Sequence, residues 1–172
     1  LHDIGKPVTR TTDEEGIDHF HGHAEVSERM AVDILKRLKF DNDTIDKVQK
    51  YVRYHDYKPE PDARAVRRAI NKIGEAYFPQ VMELRRADTL AQSSYQRTEK
   101  LAHIDEIIRL YTDIMAQNQC ISLKTLEMTG NDLIALGGKR IGEILNQLLD
   151  EVLQNPENNV HEYLLEKAKQ ML

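Results

Sequence analysis

Residues 24–38 read Ala24-Glu25-Val26-Ser27-Glu28-Arg29-Met30-Ala31-Val32-Asp33-Ile34-Leu35-Lys36-Arg37-Leu38. Val26, Met30, Ile34 and Leu38 recur every four residues, with Leu35 beside them and charged residues between. That spacing follows the 3.6-residue turn of an α-helix and does not fit the alternation of a half-buried strand. It predicts an amphipathic helix with one apolar stripe, ending near Phe40.

The same period recurs along the chain. Asp41-Asn42-Asp43 offers N-caps for a second helix with Ile45, Val48, Val52 and His55 on its stripe. Lys58-Pro59-Glu60-Pro61 interrupts the pattern. Asp62 can cap a third helix with Val66, Ile70 and Ile73 inward. A fourth starts between Tyr77 and Pro79 and carries Phe78, Val81, Leu84 and Asp88 on one face. A long helix follows over about 96–117. The texture changes after that, because Gly130, Gly137, Gly138 and Gly142 cut the stretch from Ser122 to Leu145. Two helices are predicted beyond, over about 141–153 and 160–171. Residues 1–22 read as a loop, and no strong strand run occurs. The fold class is all-α, with a boundary near Cys120 that gives segments 1–119 and 120–172.

The totals bound the function. Hydrophobic residues at 40% of 172 suffice for a core. No apolar stretch approaches the ~18 residues that cross a bilayer. Cys120 is the only cysteine, so no internal disulfide can form, which suits a reducing cytoplasm. The sequence opens on Leu1 with a histidine motif at the second position, and is read as a piece of something longer. A net charge of −5 confines any RNA binding to local basic patches. The candidates are Arg64/Arg67/Arg68/Lys72, Arg85/Arg86 and Lys139/Arg140. Taken alone, each reads better as a solvated helix face.

Several residues could do chemistry. His2 and Asp3 are adjacent, and a neighbouring imidazole and carboxylate can reach one divalent ion such as Mg, Mn, Fe, Ni, Co or Zn. His19, His21 and His23 alternate just before the first clear helix, and His23 lies on its inner side. His55 sits on a buried stripe, where a core histidine with a satisfied hydrogen bond is the favoured reading when it is taken alone. Asp88 puts a carboxylate on an apolar face, where it needs a cation, strong donors or a metal. Arg85 points about 60° away from Asp88 and Arg86 lies on the far side of the helix. Together His2, Asp3, His23, His55 and Asp88 form an oxygen and imidazole set in which one carboxylate could bridge two metals that clamp a phosphate. In the tail, Lys139-Arg140 adjoins a glycine-rich turn before a helix N-terminus, a setting that suits phosphate or simply tight helix packing.

Leu1-His2-Asp3-Ile4-Gly5-Lys6-Pro7, Phe20-His21-Gly22-His23-Ala24, Tyr54-His55-Asp56 and Arg86-Ala87-Asp88 together resemble the HD-domain superfamily. More narrowly, they resemble the HD region of bacterial tRNA nucleotidyltransferases and poly(A) polymerases. Thr129-Gly130-Asn131-Asp132-Leu133-Ile134 with Ile141-Gly142-Glu143-Ile144-Leu145 is similar to the RNA-binding stretch that follows in that family. The resemblance implies an HD helical bundle followed by a small helical RNA-binding region. It implies that His2, Asp3 and Asp88 are main metal ligands, that His23 and His55 serve a second metal, and that Lys6 meets substrate phosphate, with His2, Asp3 and Lys6 as the catalytic group. It further implies a metal-dependent phosphohydrolase acting on a nucleotide or phosphoester, within an enzyme that builds or repairs the tRNA 3′ end. Arg64, Arg67, Arg68, Lys139 and Arg140 would then contact tRNA or another RNA 3′ end. A further family histidine and the nucleotidyltransferase head lie upstream in such proteins. Two other readings stand beside this one, a stand-alone HD nucleotide phosphohydrolase and a non-catalytic RNA-binding scaffold. The glycine-rich tail speaks against the first, and the presence of all five candidate ligands speaks mildly against the second.

Overall fold

A computed structural model describes residues 1–137 and 139–172; Gly138, one of the glycines singled out above, lies outside the described residues. The elements in chain order are α1 (Lys6–Thr9), β1 (Thr11–Thr12), β2 (Asp18–His19), α2 (His23–Arg37), α3 (Asn42–Tyr54), α4 (Ala63–Ile73), α5 (Phe78–Ala91), α6 (Arg97–Ala116), α7 (Gly130–Ala135), α8 (Ile141–Gln154), a 3-10 turn (Pro156–Asn158) and α9 (His161–Met171). The fold is all-α. No described helix is long and apolar enough to cross a membrane.

Helices α3 and α4 start where an aspartate side chain satisfies one of their first N–H groups. Asp41 Oδ1 accepts from the Thr44 N–H at 2.9 Å, and Asp62 Oδ1 accepts from the Ala65 N–H at 3.0 Å. Two regions differ from the sequence expectation. Residues 1–22 hold the short helix α1 and an antiparallel ribbon that pairs Thr11 with His19 and Thr12 with Asp18. Two-residue strands are too short to show alternation, so the sequence pattern does not reveal them. The ribbon is made by its polar groups. Asp13 Oδ1 accepts from the Glu15 and Ile17 N–H groups, while Asp18 takes Thr12 Oγ1 at 2.7 Å and Arg10 at 2.9 Å. Helix α7 is the second difference. Thr129 and Asp132 cap it reciprocally, which starts a helix too short for a periodic stripe.

The chain divides into two compact units. One comprises Leu1–Lys58 and Ile73–Asp105. Its central helix α2 buries Ser27, Ala31 and Leu35, one residue round from the expected stripe. Leu38, expected inward, is 58% exposed. The small side chains of Ser27 and Ala31 let other backbone approach closely, and His23 continues the same line one turn earlier. Helix α3 buries Ile45 and Val52, and α5 buries Phe78, Val81 and Met82.

The other unit comprises Pro59–Lys72 and Glu106–Leu172. Its core gathers Met128, Leu133, Ile144, Leu148, Val152 and Leu164. In α8 the buried positions 144, 148, 149, 152 and 153 form a single stripe. Cys120 is buried in this cluster. Arg67 corrects the charge reading. It is 5% exposed, so it cannot sit in a surface patch. Its Nε donates to the Leu153 carbonyl at 2.8 Å, Nη2 to the Gln154 carbonyl at 3.1 Å and Nη1 to Gln119 Oε1 at 3.0 Å. These bonds cap the C-terminal end of α8, whose last carbonyls have no intrahelical donor. Arg67→Ala should cost about 1–3 kcal/mol of unfolding free energy in a urea titration. Arg67→Lys should not restore it, because an ammonium lacks the planar fork.

Candidate metal centre

The site lies wholly in the first unit. His2 and Asp3 sit on a tight turn closed by Ile4 N–H to Leu1 C=O and Lys6 N–H to Asp3 C=O. The turn is pressed onto α2 at Gly5. The Gly5 N–H donates to the buried Ser27 Oγ at 2.9 Å. A Cβ on Gly5 would stand 2.8 Å from both the His23 carbonyl oxygen and the Ser27 nitrogen. Only glycine allows that approach, which brings Asp3 against the first turn of α2 where His23 emerges. His55 arrives from the C-cap of α3, and Asp88 from the last turn of α5.

Two donor groups result, and Asp3 belongs to both. Asp3, His23 and His55 each bring one ligand atom within 4.8 Å of the others, as do His2, Asp3 and Asp88. In the first group Asp3 Oδ1 is 3.5 Å from His23 Nε2 and 3.5 Å from His55 Nε2, and the two imidazole nitrogens are 3.1 Å apart. In the second, His2 Nε2 is 3.5 Å from Asp3 Oδ2 and 3.7 Å from Asp88 Oδ1. Lys6 Nζ donates to Asp3 Oδ2 at 2.7 Å.

Hydrogen bonds fix what the rings present. His23 Nδ1 donates to the Phe20 carbonyl at 2.9 Å, and His55 Nδ1 donates to the Val52 carbonyl at 2.8 Å. With both Nδ1 atoms so engaged, the two Nε2 atoms turn towards each other, in a hydrogen-bond contact at 3.1 Å, and towards Asp3 Oδ1. That oxygen is buried and has no hydrogen-bond partner among the described residues. Burial pushes His55 below its ordinary value, with repulsion from His2 and His23, despite the bond to Val52 and the charge of Asp3. Burial works to raise the Asp3 carboxyl, but the hydrogen bond and charge of Lys6, helped by His2 and His55, hold it below the usual range. At neutral pH the cluster therefore offers a carboxylate and an uncharged His55. A buried carboxylate oxygen without a donor, facing two imidazole nitrogens at 3.5 Å, lacks the compensating charge that burial demands, so the residues fit a divalent metal.

Other candidates are placed less simply. Asp88 is expected inside an apolar face, yet its side chain is 33% exposed, because it lies at the edge of the stripe beside half-buried Leu84. Its Oδ2 accepts from Gln92 Nε2 at 2.6 Å, while Arg86 pairs with Asp105. His19 pairs with Asp13 at 2.8 Å and stacks on His21, outside both donor groups. Asp56 is exposed and pairs with Lys58 at 2.9 Å. Gly5 and Ser27 escape the sequence reading. Ser27 on the buried line of α2, one turn after His23, is the only signal. In the second unit Arg64 is exposed, Arg68 is half-buried, and Lys139 and Arg140 are exposed. The last two line a cleft of about 390 Å³ with Ile144, Met171 and Leu172.

Residues 8–168 match the family model for tRNA nucleotidyltransferase domain 2. The CC-adding tRNA nucleotidyltransferase of Thermus thermophilus is 30% identical over 157 residues, 90% of this chain and 34% of that protein. This chain thus spans about a third of that relative's length. No solved structure matches the chain significantly.

Proposed function

The chain belongs to the tRNA nucleotidyltransferase family, and from that premise we propose that it is the HD-domain portion of an enzyme acting on the tRNA 3′ end in the cytoplasm, in CCA addition or repair. In this reading 1–119 holds a metal-dependent phosphohydrolase site and 120–172 binds tRNA. The observation that carries it is the orphaned Asp3 Oδ1 facing two imidazole nitrogens at 3.5 Å. Two imidazole nitrogens and a carboxylate oxygen turned towards one point are a donor set suited to a divalent transition metal.

A divalent cation held there supplies positive charge to a phosphoryl oxygen and makes water more acidic. The protein's own groups do the rest. Asp3 presents one oxygen to each side of the site, so a single carboxylate orders both halves. The Phe20 and Val52 carbonyls hold His23 and His55 in the tautomer that points Nε2 inward. Lys6, 37% exposed beside Asp3, is placed to receive a substrate phosphate, and His2 stands between the two carboxylates. Hydrolysis of a nucleotide phosphoester by the metal-loaded protein, absent after chelation and restored by Mn²⁺ or Ni²⁺, is the expected result. Lack of any metal-dependent hydrolysis would remove the phosphohydrolase reading.

Lys139 and Arg140 support the RNA half of the proposal, because both are exposed and line a cleft together with Ile144, Met171 and Leu172. Filter binding to tRNA should show affinity falling as salt rises. The double variant Lys139→Glu/Arg140→Glu should weaken it by roughly tenfold or more at moderate salt. Unchanged affinity would take this turn out of the interface. Among the α4 basic residues, Arg64 and Arg68 remain as contacts in this reading, whereas Arg67 is committed to the end of α8.

A further inference from the structure

We infer that the two oxygens of Asp3 serve different cations: Oδ1, with His23 and His55, is the seat of one divalent transition-metal ion, whereas Lys6 is the built-in cation of the Oδ2 side and must leave before a second metal enters beside His2 and Asp88. The inference rests on the metal reading above and goes beyond it in metal class and in order of occupancy.

The two sides differ in geometry. On the Oδ1 side the donor atoms are 3.5, 3.5 and 3.1 Å apart. Ligands about 2.1 Å from one ion stand about 3.0 Å apart at right angles and about 3.4 Å apart at tetrahedral angles. The observed spacings already match one coordination sphere. On the Oδ2 side the separations from His2 Nε2 are 3.5 and 3.7 Å, the second slightly longer than any on the Oδ1 side.

They also differ in chemistry. Two imidazole nitrogens and one carboxylate oxygen favour Mn, Fe, Co, Ni or Zn over Mg and Ca, which prefer all-oxygen sites. The His2, Asp3 and Asp88 side is richer in oxygen. The oxygen that side needs from Asp3 is, however, already bonded to the Lys6 ammonium at 2.7 Å. A second cation on that oxygen would lie within a few ångström of a positive charge, and the two repel. The Oδ1 side has no such competitor, since Oδ1 is without a partner among the described residues. Lys6 can leave without disturbing the fold. Its side chain is 37% exposed, so the ammonium can swing from Asp3 into solvent.

The test is a titration of the metal-stripped protein with Co²⁺ at neutral pH, followed by calorimetry and by visible absorption. Wild type should take up one equivalent. Lys6→Met, and equally Lys6→Gln, should take up a second, with an affinity raised roughly tenfold or more over any second step in wild type. That second equivalent should vanish again in Lys6→Met/Asp88→Asn. His23→Ala, checked for native helical circular dichroism, should lose the first. Two equivalents of similar affinity in wild type, or no gain in either Lys6 variant, would overturn the inference and leave the metal reading standing. Failure of wild type and Lys6 variants alike to bind Co²⁺ would remove the metal reading and this inference with it.

Discussion

Asp3→Ala is expected to abolish phosphoester hydrolysis, by about 10²–10³-fold or more, while leaving the fold intact. Asp3 is the only residue present in both donor groups. Without it His23 and His55 retain two imidazole nitrogens, and His2 and Asp88 retain one imidazole and one carboxylate. Neither remnant is a competent divalent site. Stability should change little, since the carboxylate sits on a turn with its side chain 36% exposed, and its one close ion pair, with Lys6, is partly solvated. The measurement is kcat/KM with metal present, alongside thermal unfolding by circular dichroism. Hydrolysis within tenfold of wild type would show that the Asp3 cluster is not where the reaction takes place.

Gly5→Ala should act on the same site through the backbone. The new methyl would meet two backbone atoms of α2 at 2.8 Å, and backbone cannot give way as a flexible side chain can. Residues 1–5 must then lift from α2, which breaks the buried Gly5 N–H to Ser27 Oγ bond and carries Asp3 away from His23. A loss of about 2–4 kcal/mol in unfolding free energy is expected, together with weaker metal binding. Gly142→Ala is the control. It lies in helix α8, a Cβ there meets nothing within 4 Å, and alanine should be neutral or stabilising by about 0.5–1 kcal/mol. Equal behaviour of the two variants in urea would contradict the close approach at Gly5.

Periodicity and capping residues make the larger helices legible. Asp41 and Asp62 announce α3 and α4, and the Ile45, Val48, Val52, His55 spacing puts His55 inside. Where the period is too short to register, the sequence is silent, as with α7 and the ribbon over residues 11–19. The α2 stripe is misplaced by one residue because hydrophobicity alone favours Val26, Met30 and Ile34. The structure buries Ser27 and Ala31 for their small size and for one hydrogen bond, which a count of apolar residues cannot weigh. Arg67 fails for a related reason. Charge pattern marks it as surface, but its partners, Gln119 and the carbonyls at 153 and 154, lie 52, 86 and 87 residues away in sequence. The convergence of His2, Asp3, His23, His55 and Asp88 can be conjectured from residue types, whereas their spacing, the orphaned oxygen and the hold of Lys6 on Asp3 exist only in three dimensions.

Anomalous diffraction from crystals grown with Mn²⁺ tests the central claim most directly. The account predicts a peak within about 2.0–2.3 Å of Asp3 Oδ1, His23 Nε2 and His55 Nε2. Crystals that show no peak there at saturating Mn²⁺, with the two imidazoles still in direct contact, would contradict it.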